Sequence, residues 1–358
     1  VGLNARMVTL DEVPEAVHAV LVEFFAQQRN HLAGIQPEAV DVLEQFVLGG
    51  GKRLRPLFAW AGYTGVGGSE DPQAVLRAVS SLELIQACAL LHDDIIDSSD
   101  TRRGRPTAHR TVETRHRERG WSGDSAHFGR SVAILLGDFA LAWADDLVHS
   151  SGLSAAALQR VQEPWRAMRS EVIAGQLLDV SLEASGSERL EDAERVNRFK
   201  TAAYTIERPL HIGAALADAP QPVVDAYRKF GADIGVAFQL RDDVLGVFGD
   251  PAVTGKPAGD DLREGKRTVL VASALALADA HNPTAAEALR RGIGTVKTPE
   301  EIAALTDIIS ATGARQVVED RIAELTASGL AHLEEAQINP DVAEALRGLA
   351  IKATTRTM

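Results

Sequence analysis

Apolar residues recur every three to four positions along most of this chain, which is the period of an α-helix. The stretch Ala74–Ile85 shows the pattern clearly, with apolar side chains at positions 74, 75, 78, 79, 82 and 85. Alternation of apolar and polar residues, which is typical of half-buried strands, is scarce, and aromatic residues make up only 5% of the chain. The pattern therefore predicts an all-α fold of about ten to twelve helices.

Several helix starts are marked by a capping side chain followed by proline at the first helical position. These starts are Asp71–Pro72, Asn282–Pro283, Thr298–Pro299 and Asn339–Pro340. Thr298 is also followed three residues later by Glu301, which completes a capping box. These signals predict where four of the helices begin.

The chain shows no composition shift and no linker rich in Pro, Gly or Ser, so we predict a single domain over residues 1–358. Residues 101–130 stand apart because they hold eight arginines and few apolar side chains. Within this stretch we predict a loop insertion at 111–128, and we predict a solvated tail at 354–358.

Composition places the chain among ordinary globular proteins, with 45% hydrophobic and 24% charged residues in a length of 358. The formal net charge of −13 opposes a nucleic-acid role for the arginine-rich stretch, since phosphate binding needs a basic surface. Cys88 is the only cysteine, which excludes an intrachain disulfide. No signal pattern opens the chain, and no uninterrupted apolar run approaches the roughly 20 residues that span a bilayer. We expect a soluble cytoplasmic protein without stable membrane insertion.

The first candidate site is the acidic segment Asp93–Asp97, which directly follows an apolar helical stretch. On a helix, Asp93 and Asp97 lie one turn apart on the same face, so their carboxylates can converge on a cation. Carboxylate sites with open positions suit Mg²⁺ held together with substrate phosphates. Arg102 and Arg103 follow closely, and guanidinium groups bind phosphate oxygens in a bidentate manner. Each feature alone also fits a solvated helix end with surface salt bridges, whereas together they favour a diphosphate site.

A second acidic pair, Asp242–Asp243, also ends an apolar helical run and is followed by Lys256 and Lys266. Two such carboxylate walls facing each other across a bundle would hold several Mg²⁺ ions around one diphosphate. A third cationic element, Gly49–Pro56, looks like a phosphate-binding loop. It fails the nucleotide P-loop pattern because Arg53 stands where Ser or Thr must bind Mg²⁺, so kinase or ATPase activity is disfavoured.

The order of these motifs resembles that of the trans-isoprenyl diphosphate synthases, the polyprenyl synthetase family, over nearly the whole chain. The matching segments are Gly50–Pro56, Asp93–Asp97 with Arg102–Gly104, Gly137–Phe139, Lys200–Thr201, and Phe238–Asp243 with Lys256. The resemblance implies an all-α helical bundle around a central cavity, of the isoprenoid synthase type and usually homodimeric. It also implies a Mg²⁺-dependent prenyltransferase that condenses isopentenyl diphosphate with an allylic diphosphate in head-to-tail trans elongation.

The same resemblance assigns roles to individual residues. Isopentenyl diphosphate would be bound by Lys52, Arg55, Gln86 and Arg103. The allylic diphosphate would be surrounded by Arg102, Lys200, Thr201, Gln239, Lys256 and Lys266. Mg²⁺, expected as about three ions per active site with substrate bound, would be coordinated by Asp93, Asp97 and Asp242, with Asp94 and Asp243 in support. The catalytic set would be Asp93, Asp97, Arg102, Lys200 and Asp242.

One position departs from the family pattern. The second aspartate motif commonly ends in Asp, and Gly246 stands at that position here. We retain Asp242 as a metal ligand because it is expected to face the cavity together with Gln239. Asp260 or Asp261 could supply the missing acidic group through the water shell of the metal.

Product length is expected to depend on residues below the first aspartate motif. Cys88 and Ala89, five and four residues before Asp93, are small, whereas family members that stop at fifteen carbons usually carry bulky aromatics in this area. A twenty-carbon product, geranylgeranyl diphosphate, is therefore expected. The floor of the tunnel would be formed by Ile85 and Ser81, or by Phe139 and Trp143 on a neighbouring helix. Farnesyl diphosphate and medium- or long-chain polyprenyl diphosphates stay open as alternatives.

Two rival functions share parts of this pattern. A class I terpene cyclase needs no isopentenyl diphosphate site, and its second metal motif is usually Asn/Asp–Ser/Thr–Glu. The Lys52–Arg55 segment and the Asp242–Asp243 pair therefore favour a synthase. A catalytically silent partner subunit should lack part of the metal set, whereas both Asp-Asp pairs are intact here.

Overall fold

The computed structural model describes residues 7–33, 37–102, 104–250 and 258–355, and most of them are helical. The helices are α1 (Val13–His31), α2 (Pro37–Leu48), α3 (Leu54–Thr64), α4 (Pro72–Ile96), α5 (Ala108–Glu118), α6 (Ser125–His149), α7 (Ala155–Ser185), α8 (Leu190–Val196), α9 (Arg208–Leu216), α10 (Gln221–Phe248), α11 (Asp260–Glu264), α12 (Val269–His281), α13 (Pro283–Gly292), α14 (Pro299–Thr312), α15 (Ala314–Glu335) and α16 (Pro340–Thr354). A 3₁₀ turn (Leu10–Glu12) precedes α1, and a π-helix (Asn197–Glu207) lies between α8 and α9.

This architecture confirms the all-α prediction. The helices outnumber the ten to twelve expected, because short ones such as α8 and α11 lack a long enough apolar period to be recognised in the sequence. Two strands of two residues each, β1 (Thr101–Arg102) and β2 (Arg105–Pro106), pair in antiparallel fashion directly after the first aspartate motif.

The four predicted helix starts are confirmed, and all four cap as the sequence suggests. The side chain of Asp71 accepts hydrogen bonds from the backbone N–H groups of Gln73 and Ala74 at the start of α4. Thr298 and Glu301 form the predicted capping box at α14. Asn339 Oδ1 accepts from the N–H of Asp341, 2.9 Å away, at α16. Each cap satisfies N–H groups that a helix start leaves without an intrahelical partner.

The chain divides into two compact units. The first comprises the described residues of Val1–Arg169, Arg208–Val224 and Gln337–Ala343, and the second those of Ser170–Glu207, Asp225–Ala336 and Glu344–Met358. The expectation of one domain over residues 1–358 stays a prediction.

The first unit is built around α4, which packs against α6 and also contacts α1, α2, α3 and α9. Helices α4 and α6 run antiparallel, because His92 lies beside Ile134 whereas Arg77 donates to the carbonyl of Ser151. Helix α4 has the length and hydropathy of a membrane-spanning helix, but 78% of its most apolar window is buried within the protein. Such burial is what a core helix shows.

The core of the second unit joins α10 to the helices that follow it. Leu240, Val244 and Val247 of α10 share one apolar cluster with residues of α11 to α15. A bidentate ion pair from Arg241 to Glu319, with both N–O distances at 2.6 Å, ties α10 to α15.

The prediction of a loop at 111–128 is wrong. Helix α5 covers most of its first half, and α6 already begins at Ser125. Ala108, Val112 and His116 form a buried stripe at helical spacing on α5, which packs against α6. The high arginine content hid this stripe, because the arginines occupy the outward face of α5.

The predicted tail at 354–358 begins too early. Thr354 is the last residue of α16, its side chain is buried, and its carbonyl accepts a hydrogen bond of 2.9 Å from Arg241. Positions 356–358 lie outside the described residues.

Close packing of α3 on α9 gives a stability prediction. A Cβ added at Gly213 would overlap the carbonyl oxygen of Ala59, whereas a Cβ added at Gly348, on the exposed face of α16, would meet nothing within 4 Å. Gly213→Ala should lower the free energy of unfolding by about 1–3 kcal/mol through overpacking. Gly348→Ala should raise it by about 0.5–1 kcal/mol, since alanine favours a helix interior.

Urea denaturation followed by circular dichroism measures both changes. Equal effects from the two substitutions would show that α3 and α9 do not approach each other this closely.

Candidate active site

The glycine-rich loop before α3 has an unusual backbone. Gly50 and Gly51 have φ angles of 119° and 136°, a region open to glycine but not to residues with a Cβ. Arg53 follows in the left-handed conformation at φ 49° and ψ 38°, and α3 starts at the next residue. In this arrangement Lys52 is exposed, while Arg55 lies buried in the first turn of α3.

An ion pair connects this loop to α4. The guanidinium of Arg53 donates to Oε2 of Glu83, and both side chains are buried. Gln86 lies three residues further along α4, half-buried on the same face of the helix as Glu83. Three of the residues assigned to isopentenyl diphosphate, Lys52, Arg55 and Gln86, are thus carried by two elements that one ion pair joins.

The first aspartate motif lies at the C-terminal end of α4. Asp93 and Asp97 are half-buried and one helical turn apart, and the N–H of Asp97 donates to the carbonyl of Asp93 at 2.8 Å. Asp94 is buried and is bound by Arg102, whose NH2 group lies 2.7 Å from Asp94 Oδ1 and 3.4 Å from Asp93 Oδ2. Arg102 stands on β1, so the short hairpin brings it back over the acidic helix end.

The helix end is fixed from behind by His92. Its Nε2 lies 3.1 Å from the carbonyl oxygen of Ile134, and its Nδ1 lies 3.7 Å from the sulfur of Cys88. A Cβ added at Gly137 would overlap the His92 ring. The glycine of the Gly137–Phe139 signature is therefore required for α6 to approach the residue that directly precedes Asp93.

The chemistry of this donor set fits a hard divalent cation. Asp93 and Asp97 offer carboxylate oxygens on one face, and Mg²⁺ in such sites takes its remaining ligands from water and substrate phosphates. Among the residues that the structure describes, no group of three or more His, Cys, Asp or Glu side chains is arranged to hold a metal ion.

In the second unit, Lys200 and Thr201 lie on the π-helix. The Lys200 ammonium contacts Asp179 Oδ2 of α7 at 2.5 Å. A Cβ added at Gly175 would overlap the backbone of Lys200, and one added at Gly235 would lie 2.8 Å from the Cα of Ala202. The missing side chains allow α7 and α10 to approach this segment closely, and π-helical segments are often found at functional sites.

The second aspartate pair is divided between a half-buried Asp242 and a buried Asp243. Asp243 accepts hydrogen bonds from Gln239 Nε2 at 2.8 Å and from Asn197 Nδ2 at 3.2 Å. Burial, with further contributions from Asp261 and Asp242, raises the pKa of Asp243 to about 7, although the two hydrogen bonds oppose the shift. Gln239, expected to contact the allylic diphosphate, here orients Asp243.

At Gly246, where the family pattern commonly has Asp, the structure places a different carboxylate. A Cβ on this glycine would overlap Oδ2 of Asp261, which is buried at the start of α11. An acidic group therefore stands beside the expected position, supplied by another helix. Its neighbour Asp260 is instead ion-paired with Arg263 at 2.9 Å.

The remaining assigned cations are less informative. Arg103 and Lys256 lie outside the described residues. Lys266 forms an ion pair of 2.9 Å with Glu264. Sequence reasoning missed Glu83, Asp179 and Asn197, which hold Arg53, Lys200 and Asp243 respectively.

Comparison with known proteins identifies the family. Residues 36–309 match the polyprenyl synthetase family. The chain belongs to this family. Membership confirms the predicted resemblance and the assignment to the prenyl-transferring enzymes, and the polyprenyl synthetases are divalent-metal dependent.

Solved structures and other related proteins are similar to this chain as well. The polyprenyl synthetase chain superimposes with a TM-score of 0.95 on the crystal structure of geranylgeranyl pyrophosphate synthase from Corynebacterium glutamicum, complexed with isoprenyl diphosphate and magnesium. The two are 57% identical over 98% of this chain and 100% of that chain. A geranylgeranyl diphosphate synthase of Mycobacterium tuberculosis is 31% identical over 82% of this chain and 77% of its own length. A geranylfarnesyl diphosphate synthase of Aeropyrum pernix is 36% identical over 62% of this chain, and this match spans 65% of that relative, just under two thirds.

The geometry predicts different roles for the first two aspartates. Asp94→Asn breaks a buried ion pair and should lower the free energy of unfolding by roughly 3 kcal/mol, the low end of the usual range because Arg102 is partly exposed. Asp93→Asn should change stability by less than about 1 kcal/mol. It should nevertheless weaken the binding of Mg²⁺ with inorganic pyrophosphate, measured by titration calorimetry. A larger stability loss from Asp93→Asn would contradict this division.

A further prediction concerns the Asp261 carboxylate, which stands beside Gly246. Gly246→Asp should lower the free energy of unfolding by about 1–3 kcal/mol, because the new side chain overlaps the Asp261 carboxylate. Adding Asp261→Ala should recover at least half of that loss, since neighbouring sites couple. Thermal unfolding of the two single variants and the double variant measures the coupling, and strictly additive effects would argue against the contact.

Proposed function

We propose that this chain condenses isopentenyl diphosphate with allylic diphosphates and releases geranylgeranyl diphosphate. The observation that carries the proposal is that oriented cations stand beside both aspartate motifs. Arg102 pairs with Asp93 and Asp94, and Lys200, paired with Asp179, lies on the same π-helix as Asn197, which donates to Asp243. The 57% identity to the geranylgeranyl pyrophosphate synthase of C. glutamicum supports the twenty-carbon product. A homodimer, three Mg²⁺ ions and a cytoplasmic location stay predictions.

The residues present suit the stabilisation of a departing diphosphate. Asp93, Asp97 and Asp242 would hold Mg²⁺, which when bound stabilises negative charge on the leaving group. Arg102 and Lys200 are already ion-paired with carboxylates, so they offer oriented donors for phosphate oxygens. Lys52, Arg55 and Gln86 would orient isopentenyl diphosphate so that its double bond faces the allylic carbon. No side-chain base is assigned, because by family resemblance the released diphosphate removes the proton.

We propose that the tunnel floor lies within the first unit. Because α4 and α6 are antiparallel and His92 lies against Gly137, Trp143 stands roughly 9 Å further along α6, near the level of Ile85. Trp143 is buried and packs on Phe139, Phe24 and Phe25, with ring centroids 4.8 to 6.2 Å apart. This aromatic cluster, two turns below Asp93, is the proposed floor.

The terpene cyclase alternative is disfavoured by the built loop at Lys52–Arg55, which a cyclase does not require. A silent subunit is disfavoured because both aspartate pairs are intact and have polar partners, Arg102 for Asp94 and Gln239 for Asp243. Neither rival has an observation of its own in its favour.

Incubating the purified chain with isopentenyl diphosphate, Mg²⁺ and primers of five, ten or fifteen carbons tests the proposal directly. All three primers should give a twenty-carbon product, and a chelator should abolish turnover because the leaving group then lacks its counter-charge. Chromatography of the dephosphorylated products against prenyl-alcohol standards gives the length. Failure to extend any primer, or undiminished turnover after chelation, would overturn the assignment.

Product length should respond to bulk below the first motif. Ala89 is half-buried and Cys88 is buried against His92, so Ala89→Phe is the less disruptive change. It should shorten the main product by about one five-carbon unit, with overpacking costing roughly 1–3 kcal/mol. Trp143→Ala should lengthen the product instead.

Ala156→Phe serves as the matched control, because Ala156 is exposed on α7. It should leave product length unchanged. If Ala89→Phe folds, turns over and still yields the wild-type length, the growing chain does not pass this residue.

A further inference from the structure

The backbone of Arg53 requires an external restraint. It occupies the left-handed region at φ 49° and ψ 38°, where a residue with a Cβ is disfavoured. Its neighbours Gly50 and Gly51 adopt positive φ angles without such strain. A strained residue of this kind persists only where the surrounding structure over-determines its conformation.

Glu83 supplies that restraint. The side chains of Arg53 and Glu83 are only 5% and 4% exposed, so the pair is shielded from water. Oε2 of Glu83 accepts from Arg53, and within the described part of the chain Oε1 has no hydrogen-bond partner. The Glu83 carboxylate is therefore committed to this one arginine, and breaking the pair would leave a buried charge uncompensated.

The pair joins the two elements that carry the residues proposed to bind isopentenyl diphosphate. Arg53 lies between Lys52 and the first turn of α3, which bears Arg55. Glu83 lies one turn before Gln86 on the same face of α4. A change in the Arg53 backbone would therefore move Lys52 and Arg55 relative to Gln86, although Arg53 itself is too enclosed to reach a ligand.

We propose that the buried Arg53–Glu83 pair is a positioning device for isopentenyl diphosphate. It holds the strained loop so that the cations of the loop and of α3 stand at a fixed distance from Gln86. Arg53 and Glu83 are positioning residues and do not touch the substrate. This inference rests on the proposed function, which assigns Lys52, Arg55 and Gln86 to that diphosphate.

The test uses two single variants, Arg53→Gly and Glu83→Gln. Glycine accepts the left-handed backbone but removes the tether, whereas glutamine keeps the shape of Glu83 and removes its charge. Titration calorimetry with isopentenyl diphosphate alone should show a dissociation constant raised about tenfold. The KM for isopentenyl diphosphate should rise by a similar factor, while kcat and the KM for the allylic substrate change less than about twofold.

A double variant, Arg53→Met with Glu83→Leu, separates positioning from stability, because a buried ion pair can often be replaced by apolar side chains without loss of stability. A double variant that melts at or near the wild-type temperature yet binds isopentenyl diphosphate weakly supports the proposal, even if the single variants unfold. A double variant with both the wild-type melting temperature and the wild-type affinity for isopentenyl diphosphate would overturn the proposal, because the pair would then serve stability alone.

Arg29→Met is the matched control. Arg29 forms an ion pair with Asp41 at 3.0 Å that joins α1 to α2 in the same unit. The Arg29→Met substitution should leave the affinity for isopentenyl diphosphate unchanged. If the wild-type chain itself neither binds nor consumes isopentenyl diphosphate, the proposed function fails. If the wild type binds and the pair variants bind equally well, only the positioning role fails.

Discussion

Ion pairs between oppositely charged side chains in partly buried surroundings are the interaction on which this candidate site depends. A cation that is removed from water without a partner costs several kcal/mol, so a site prepared for a diphosphate must hold its cations in another way until the ligand arrives. The chain meets this requirement with its own carboxylates. Arg53 is held by Glu83, Arg102 by Asp94 and Lys200 by Asp179.

These pairs differ in exposure, and the difference separates two roles. The side chains of Arg102 and Lys200 are 23% and 21% exposed, so phosphate oxygens can replace or join their carboxylate partners at little desolvation cost. Arg53 is 5% exposed and sealed against α4, where no ligand can compete for it. The accessible pairs thus suit binding, and the enclosed pair suits the maintenance of backbone geometry.

Glycine residues, which have no side chain, contribute to the candidate site as much as charged residues do. Gly137 gives His92 the room it occupies behind Asp93, Gly175 admits the backbone of Lys200, and Gly246 makes space for the carboxylate of Asp261. At Gly175 two backbones approach more closely than a Cβ would allow, whereas at Gly137 and Gly246 the space of the missing Cβ is taken by the His92 ring and the Asp261 carboxylate. The π-helix belongs to the same pattern, because α7 approaches its backbone at Lys200 through Gly175 and α10 approaches it at Ala202 through Gly235.

The sequence predicts whatever depends on spacing along one helix. The 3.6-residue period places Asp93 and Asp97 on one face, and the cap residues mark where α4 and α14 begin. Partners from distant segments could not be derived in this way: Glu83 lies 30 residues from Arg53 and Asn197 lies 46 residues from Asp243. Helix α5 was missed for a related reason, since its buried stripe becomes visible only once α6 is known to cover it.

At Gly246, the inability to derive partners from distant segments affects the functional interpretation. By itself the residue indicates the loss of an acidic group, because the helix period carries no information about what approaches from another element. The structure shows the Asp261 carboxylate in the space beside it, and burial together with that carboxylate raises the pKa of Asp243. The acidic character of this end of α10 therefore depends on α11, so a departure from a linear motif is no measure of the chemistry that the folded chain retains.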